Sequence, residues 1–145
     1  MTFPAPARDL AVLLARVAVG IVFIAHGWQK LVTNGIDGTA MFFEQAGVPV
    51  ATASAWFAAL VELIGGAALI LGAAVPVAGL LLLINMIGAF VFVHAGSGLF
   101  VSNGGYELVL VLGAASLLLA AVGSGRFGVD HLFTGRRKNA LPATA

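Results

Sequence analysis

Four ionisable side chains, Arg16, His26, Lys30 and Glu62, interrupt long apolar runs, and His94 and Glu107 bracket the loop between two more. His26 and Lys30 are spaced i,i+4, which puts an imidazole and an ammonium on one helix face. Asn85 falls in the middle of the run that His94 ends, and Trp28, Gln29, Phe90, Phe92 and Tyr106 accompany the set. A quinone head group needs a hydrogen-bond donor at each carbonyl, an apolar slot for its tail and a protonatable neighbour with access to water. His26, Trp28, His94 and Glu107 could bind such a group, with Glu107, His94 and Lys30 as the candidate catalytic residues. Two histidines on separate helices could also ligate a haem axially, but no further haem signal accompanies them and none is expected. A carboxylate and an arginine at mid-depth, Glu62 and Arg16, could instead belong to a proton or small-solute path.

The elements that must position these groups follow from composition. The chain has 145 residues, 61% of them hydrophobic and 9% charged, with 19 glycines and a net charge of +1. Its mean hydropathy is +1.08. Soluble domains carry about 25% charged residues, so an aqueous fold is excluded. Between Leu63 and Tyr106 there is no Asp, Glu, Lys or Arg. At about 1.5 Å per helical residue that stretch is roughly 66 Å long, more than twice a ~30 Å hydrocarbon core, so it crosses and turns back. The near-zero charge offers no face for nucleic acid. With no cysteine there is no disulfide framework, no thiolate metal site and no dithiol relay, and no metal site is expected.

Four spanning helices are expected, at about 10–31, 51–73, 75–95 and 104–122. Arg16 and the lack of a small-residue cleavage site argue that the first is a retained helix rather than a secretory signal. Turn signals at Asn34-Gly35, Asp37-Gly38 and Gly47-Val48-Pro49 bracket Thr39 to Ala46, which is too short to cross and is expected as a short interfacial helix carrying Met41, Phe42 and Phe43. Gly72 to Pro76 allows only a tight turn, so the second and third helices form an antiparallel hairpin. The fold class is all-α, a four-helix transmembrane bundle. Residues 131–145 form a polar tail closed by Arg136, Arg137 and Lys138, and with Arg8 and Arg126 these cations place both termini in the cytoplasm.

Depth then pairs the charges. Arg16 lies roughly 9 Å in from the cytoplasmic end of its span and Glu62 roughly 16 Å in from the outer end of its own, which leaves about 5 Å between them in a ~30 Å core. Arg16 with Glu62 is therefore expected as a mid-membrane ion pair, and His26, Lys30, His94 and Glu107 as an outer polar layer. Each group also has a plainer role: a register-fixing pair for Arg16 and Glu62, snorkelling for Lys30, and a helix-start carboxylate for Glu107.

Several of these residues sit in a recognisable arrangement: Arg16-x3-Gly20, His26-Gly27-x2-Lys30-Leu31, Gly47-Val48-Pro49, Val61-Glu62-x2-Gly65-Gly66, Leu69-Ile70-Leu71-Gly72, Gly104-Gly105-Tyr106-Glu107, Gly123-Ser124-Gly125-Arg126 and Asp130. From Leu10 to Asp130 the chain resembles the DoxX family of small bacterial membrane proteins. The resemblance implies a DoxX-like domain over 1–130, a four-helix bundle similar in outline to vitamin K epoxide reductase, and residence in the bacterial cytoplasmic membrane. It also implies association with quinol oxidase, thiosulfate:quinone or redox-stress complexes, while animal relatives look like assembly chaperones. The absence of cysteine excludes thiol-disulfide chemistry. Two functions are therefore expected in competition. One is a quinone-interacting subunit of a respiratory or redox-stress oxidoreductase complex; the other is a non-catalytic accessory, assembly or scaffold subunit. The many small residues would also serve homo-oligomerisation.

Overall fold

The structure is a computed structural model that describes residues 4–132. The polar tail expected over 131–145 lies, beyond Leu132, outside the described residues, as do the cations Arg136, Arg137 and Lys138. Five α-helices lie wholly within the described residues: α1 Ala5–Trp28, α2 Gly35–Gln45, α3 Ala51–Leu71, α4 Val75–Ala89 and α5 Glu107–Val122. Two of them run on into π turns, α1 through Gln29–Thr33 and α4 through Phe90–His94. The helical stretches Ala5–Thr33, Ala51–Leu71 and Val75–Ser97 are long and apolar enough to cross a membrane. The fourth apolar helix, α5, has 16 residues and covers roughly 24 Å, somewhat less than a hydrocarbon core. The chain is thus an all-α integral membrane bundle, with α2 as the short helix between the first two spans.

Small residues set how closely these helices approach, because in lipid there is no hydrophobic force to press helices together and close van der Waals packing must do so. A Cβ on Gly20 would stand 2.6 Å from the Gly66 carbonyl oxygen, and one on Gly27 would stand 2.9 Å from that of Ala59. On the other side of the bundle, a Cβ on Gly79 would meet the Ser116 carbonyl oxygen at 2.7 Å. The contact surfaces bury Phe23, Leu69, Val75, Leu82, Met86, Leu112 and Leu119 in one core. Leu14, Ile64, Val77, Ile84, Val111 and Leu118 are more than half exposed. Such an apolar exterior fits acyl chains rather than water.

The α3–α4 turn follows the expected hairpin. Gly72 takes φ +70° in a Schellman-type ending, with Ala73 N–H donating to Ala68 O at 2.9 Å. Ala74 then adopts φ +48°, a left-handed conformation unfavourable for a residue with a Cβ. Asp130 holds it there: Oδ1 accepts from Ala74 N–H at 2.7 Å and Oδ2 from Val75 N–H at 3.1 Å, while Asp130 N–H donates to Gly72 O. The C-terminal segment thereby supplies the N-terminal cap that α4 lacks.

Candidate functional site

Lys30 is carried on the π turn that ends the first span. There Asn34 N–H donates to Gln29 O at 2.8 Å, five residues back, and the Lys30 carbonyl instead accepts the Thr39 hydroxyl at 2.9 Å. The Lys30 side chain runs back along α1, the direction in which helical side chains lean. Its Nζ donates to Glu62 Oε2 at 2.6 Å. Asn85 Nδ2, from the middle of α4, donates to Glu62 Oε1 at 2.9 Å. Glu62 is 2% exposed, and each of its oxygens receives a donor, as a carboxylate buried in a bundle requires.

The expected ion pair between Arg16 and Glu62 does not form. Gly20 packs on Gly66 and Ile70, and Gly27 nests between Ala59 and Leu63. Lys30, three residues beyond Gly27, therefore stands about one turn from the height of Glu62. Arg16 lies against Gly72, ten residues farther along the chain than Glu62, or roughly 15 Å of helix. The depth estimate failed because it started the first span at Leu10 and let it just fill the core. The helical stretch runs from Ala5 to Thr33 and overshoots the membrane thickness, so its ends do not mark the membrane faces. Arg16 is fully buried and donates to Phe127 O at 3.4 Å, with Asp130 as a nearby counter-charge. It belongs to the bundle end that Asp130 closes.

Above the core, a cavity of about 480 Å³ opens among all five helices. His26, Lys30, Glu62, Asn85 and His94 line it together with Phe23, Phe42, Phe43, Phe57 and Phe92. The outer polar layer thus exists in part: His26, Lys30 and His94 converge, and Glu62 and Asn85 join them. Glu107 does not. Its Oε1 accepts from Val101 N–H at 2.7 Å, which folds the loop before α5, and it is not among the lining residues. Trp28 is 56% exposed and also lies outside the cavity wall. The wall is largely apolar, and Phe57, Ile84 and Phe92 each present surface to the exterior as well. No group of three or more potential metal ligands occurs among the described residues.

Both histidines are held at the same ring atom. His26 Nδ1 lies 2.9 Å from Val22 O, and His94 Nδ1 lies 2.6 Å from Gly104 O. A carbonyl oxygen can only accept, so each Nδ1 carries the proton and each Nε2 is left as the ring nitrogen without a described partner. Sequence reasoning missed Asn85 as a partner of Glu62 and the aromatic contribution of Phe42, Phe43 and Phe57. Asn85 carries the one readable signal, as a lone amide in an apolar span. The two π turns leave no trace in the spacing.

The chain is similar to several bacterial proteins along most of its length. It is 33% identical over 136 residues to the protein of Bacillus subtilis named "Putative oxidoreductase CatD", with 93% of this chain and 96% of that one covered. It is 31% identical over 126 residues to inner membrane protein YqjF of Escherichia coli, covering 86% and 93% of the two chains. Inner membrane protein YphA of the same organism is 27% identical over 130 residues, covering 86% and 91%. No solved structure matches it. The DoxX family model matches residues 11–95, the segment that carries Arg16, His26, Lys30, Glu62, Asn85 and His94, and the chain belongs to the DoxX family.

Proposed function

We propose that this protein is a quinone-interacting subunit of a respiratory or redox-stress oxidoreductase complex in the bacterial cytoplasmic membrane, with both termini cytoplasmic. The observation that carries this reading is the polar floor made by Lys30, Glu62 and Asn85 inside a largely apolar, membrane-embedded cavity of about 480 Å³. The donor set suits a carbonyl oxygen. After its bond to Glu62 the Lys30 ammonium keeps two N–H donors, and the Asn85 amide keeps one. Ring-sized apolar space is supplied by Phe23, Phe42 and Phe92, and a tail could leave past Phe57 and Ile84 toward lipid. The redox activity in the name of CatD and the membrane setting of YqjF and YphA favour the same assignment. Lys30 and His94 are the residues we assign to head-group contact and proton exchange. Glu107 acts by shaping the loop that places His94.

Titration of the purified protein with a decyl-substituted benzoquinone tests this directly. The expected result is saturable binding near one equivalent, weakened about tenfold or more in Asn85→Leu. Absence of saturable binding rejects the assignment. A non-catalytic accessory or scaffold role is favoured by one observation, that both Glu62 oxygens are already used by Lys30 and Asn85. Under that role the three residues only fix helix register, and binding is absent while Glu62 substitutions still lower the yield of folded protein.

A further inference from the structure

We infer that the cavity selects the reduced, quinol form of its ligand over the oxidised quinone, an inference that rests on the quinone assignment above. It follows from the two histidines. With Nδ1 of His26 given to Val22 O and Nδ1 of His94 given to Gly104 O, the neutral rings offer the cavity an Nε2 lone pair and no donor. Both rings line the same space. A ring-nitrogen lone pair accepts a hydroxyl hydrogen and gains nothing from a carbonyl, which has none to give. A quinone has only carbonyl acceptors and cannot satisfy either Nε2. A quinol has two hydroxyl groups, each able to donate to an imidazole and to accept an N–H from Lys30 or Asn85. The same pinning by a backbone carbonyl fixes the ring orientation, so the acceptors are placed before the ligand arrives.

The test compares decyl-benzoquinol with decyl-benzoquinone on the full-length protein in lipid nanodiscs. It is run without oxygen at pH 8. Quinol is expected to bind at least about tenfold more tightly than quinone, and the preference is expected to shrink about tenfold in His26→Phe or His94→Phe. The wild-type ratio stands alone should a variant fail to fold. Equal affinities, tighter quinone binding, or a preference unchanged in both phenylalanine variants overturns the inference while leaving the quinone assignment standing. Failure of both forms to bind overturns both.

Discussion

Lys30 Nζ lies 2.6 Å from Glu62 Oε2, and the two partners differ in exposure: the lysine side chain is 20% exposed and the glutamate 2%. The pair joins the end of the first span to the middle of α3, and Asn85 ties α4 into the same carboxylate. Removing one partner is therefore not equivalent to removing the other. Lys30→Met leaves a carboxylate in the bundle interior held by a single amide, and breaking a buried pair from one side costs about 3–5 kcal/mol. Glu62→Gln leaves a lysine at the end of a long helix, from which it can snorkel toward the interface, and the cost falls to about 1 kcal/mol. Thermal unfolding in detergent should rank wild type above Glu62→Gln and Glu62→Gln above Lys30→Met. The reverse order of the two variants would show that the carboxylate is not dependent on the ammonium.

Composition made the membrane class legible, since an apolar stretch from Leu63 to Tyr106 can only be solved by crossing and returning. The turn at Gly72 to Pro76 was equally readable, because Gly and Pro punctuate helices for local steric reasons. The site was legible only as a list. His26, Lys30 and His94 do meet, but register between α1 and α3 depends on which glycines interlock. Gly20, Gly27, Gly65 and Gly66 admit several alignments on paper, and the one adopted moves Arg16 about 15 Å from Glu62. The π turns at Lys30 and His94 are likewise invisible to a 3.6-residue period, since each adds one residue to a turn without changing its composition.

The glycine register can be tested by contrast. Gly20 faces the Gly66 backbone at a distance that leaves no room for a methyl group, whereas a Cβ on Gly88 would meet nothing within 4 Å. Gly20→Ala should force α1 off α3 and destabilise the protein by about 1–3 kcal/mol, in the range of overpacked cores. Gly88→Ala should be neutral or slightly stabilising, because alanine is the better helix former. Melting temperatures of the two variants, side by side, check this; equal behaviour would contradict the α1–α3 packing.

At the other end of the bundle, Asp130 takes hydrogen bonds from Ala74 and Val75 N–H while Ala74 sits at φ +48°. The carboxylate cap and the strained residue oppose each other, so their substitutions should move stability in opposite directions. Asp130→Ala should cost about 1–2 kcal/mol, the range for lost helix caps. Ala74→Gly should gain up to about 1 kcal/mol by removing the left-handed Cβ penalty. Arg16 adds a second consequence, since its Nε and Nη1 are buried without a hydrogen-bond partner among the described residues. Loss of the Asp130 charge leaves that guanidinium less well compensated, and Asp130→Asn, which keeps the shape of the cap, should still destabilise measurably.

Gly88 offers a test of whether the proposed ligand reaches the cavity from the lipid. It lines the cavity on α4 between Ile84 and Phe92, two residues that also present surface to the exterior, and open space lies where its side chain would be. A bulky group there would occupy the cavity and the gap toward the acyl chains without pressing on neighbouring backbone, so the bundle should tolerate it. Gly88→Phe is therefore expected to keep the melting temperature within a few degrees of wild type. Binding of the decyl-substituted benzoquinone should fall at least about tenfold, since one ring's worth of volume is lost from a cavity of about 480 Å³. Varying the tail separates blockage of the slot from blockage of the floor. If the introduced ring closes only the exit between α3 and α4, a benzoquinone without a tail should bind the variant and wild type alike. Undiminished binding of the decyl compound would mean that the ligand enters by another route and that Lys30, Glu62 and Asn85 are approached from the loops before α3 and α5.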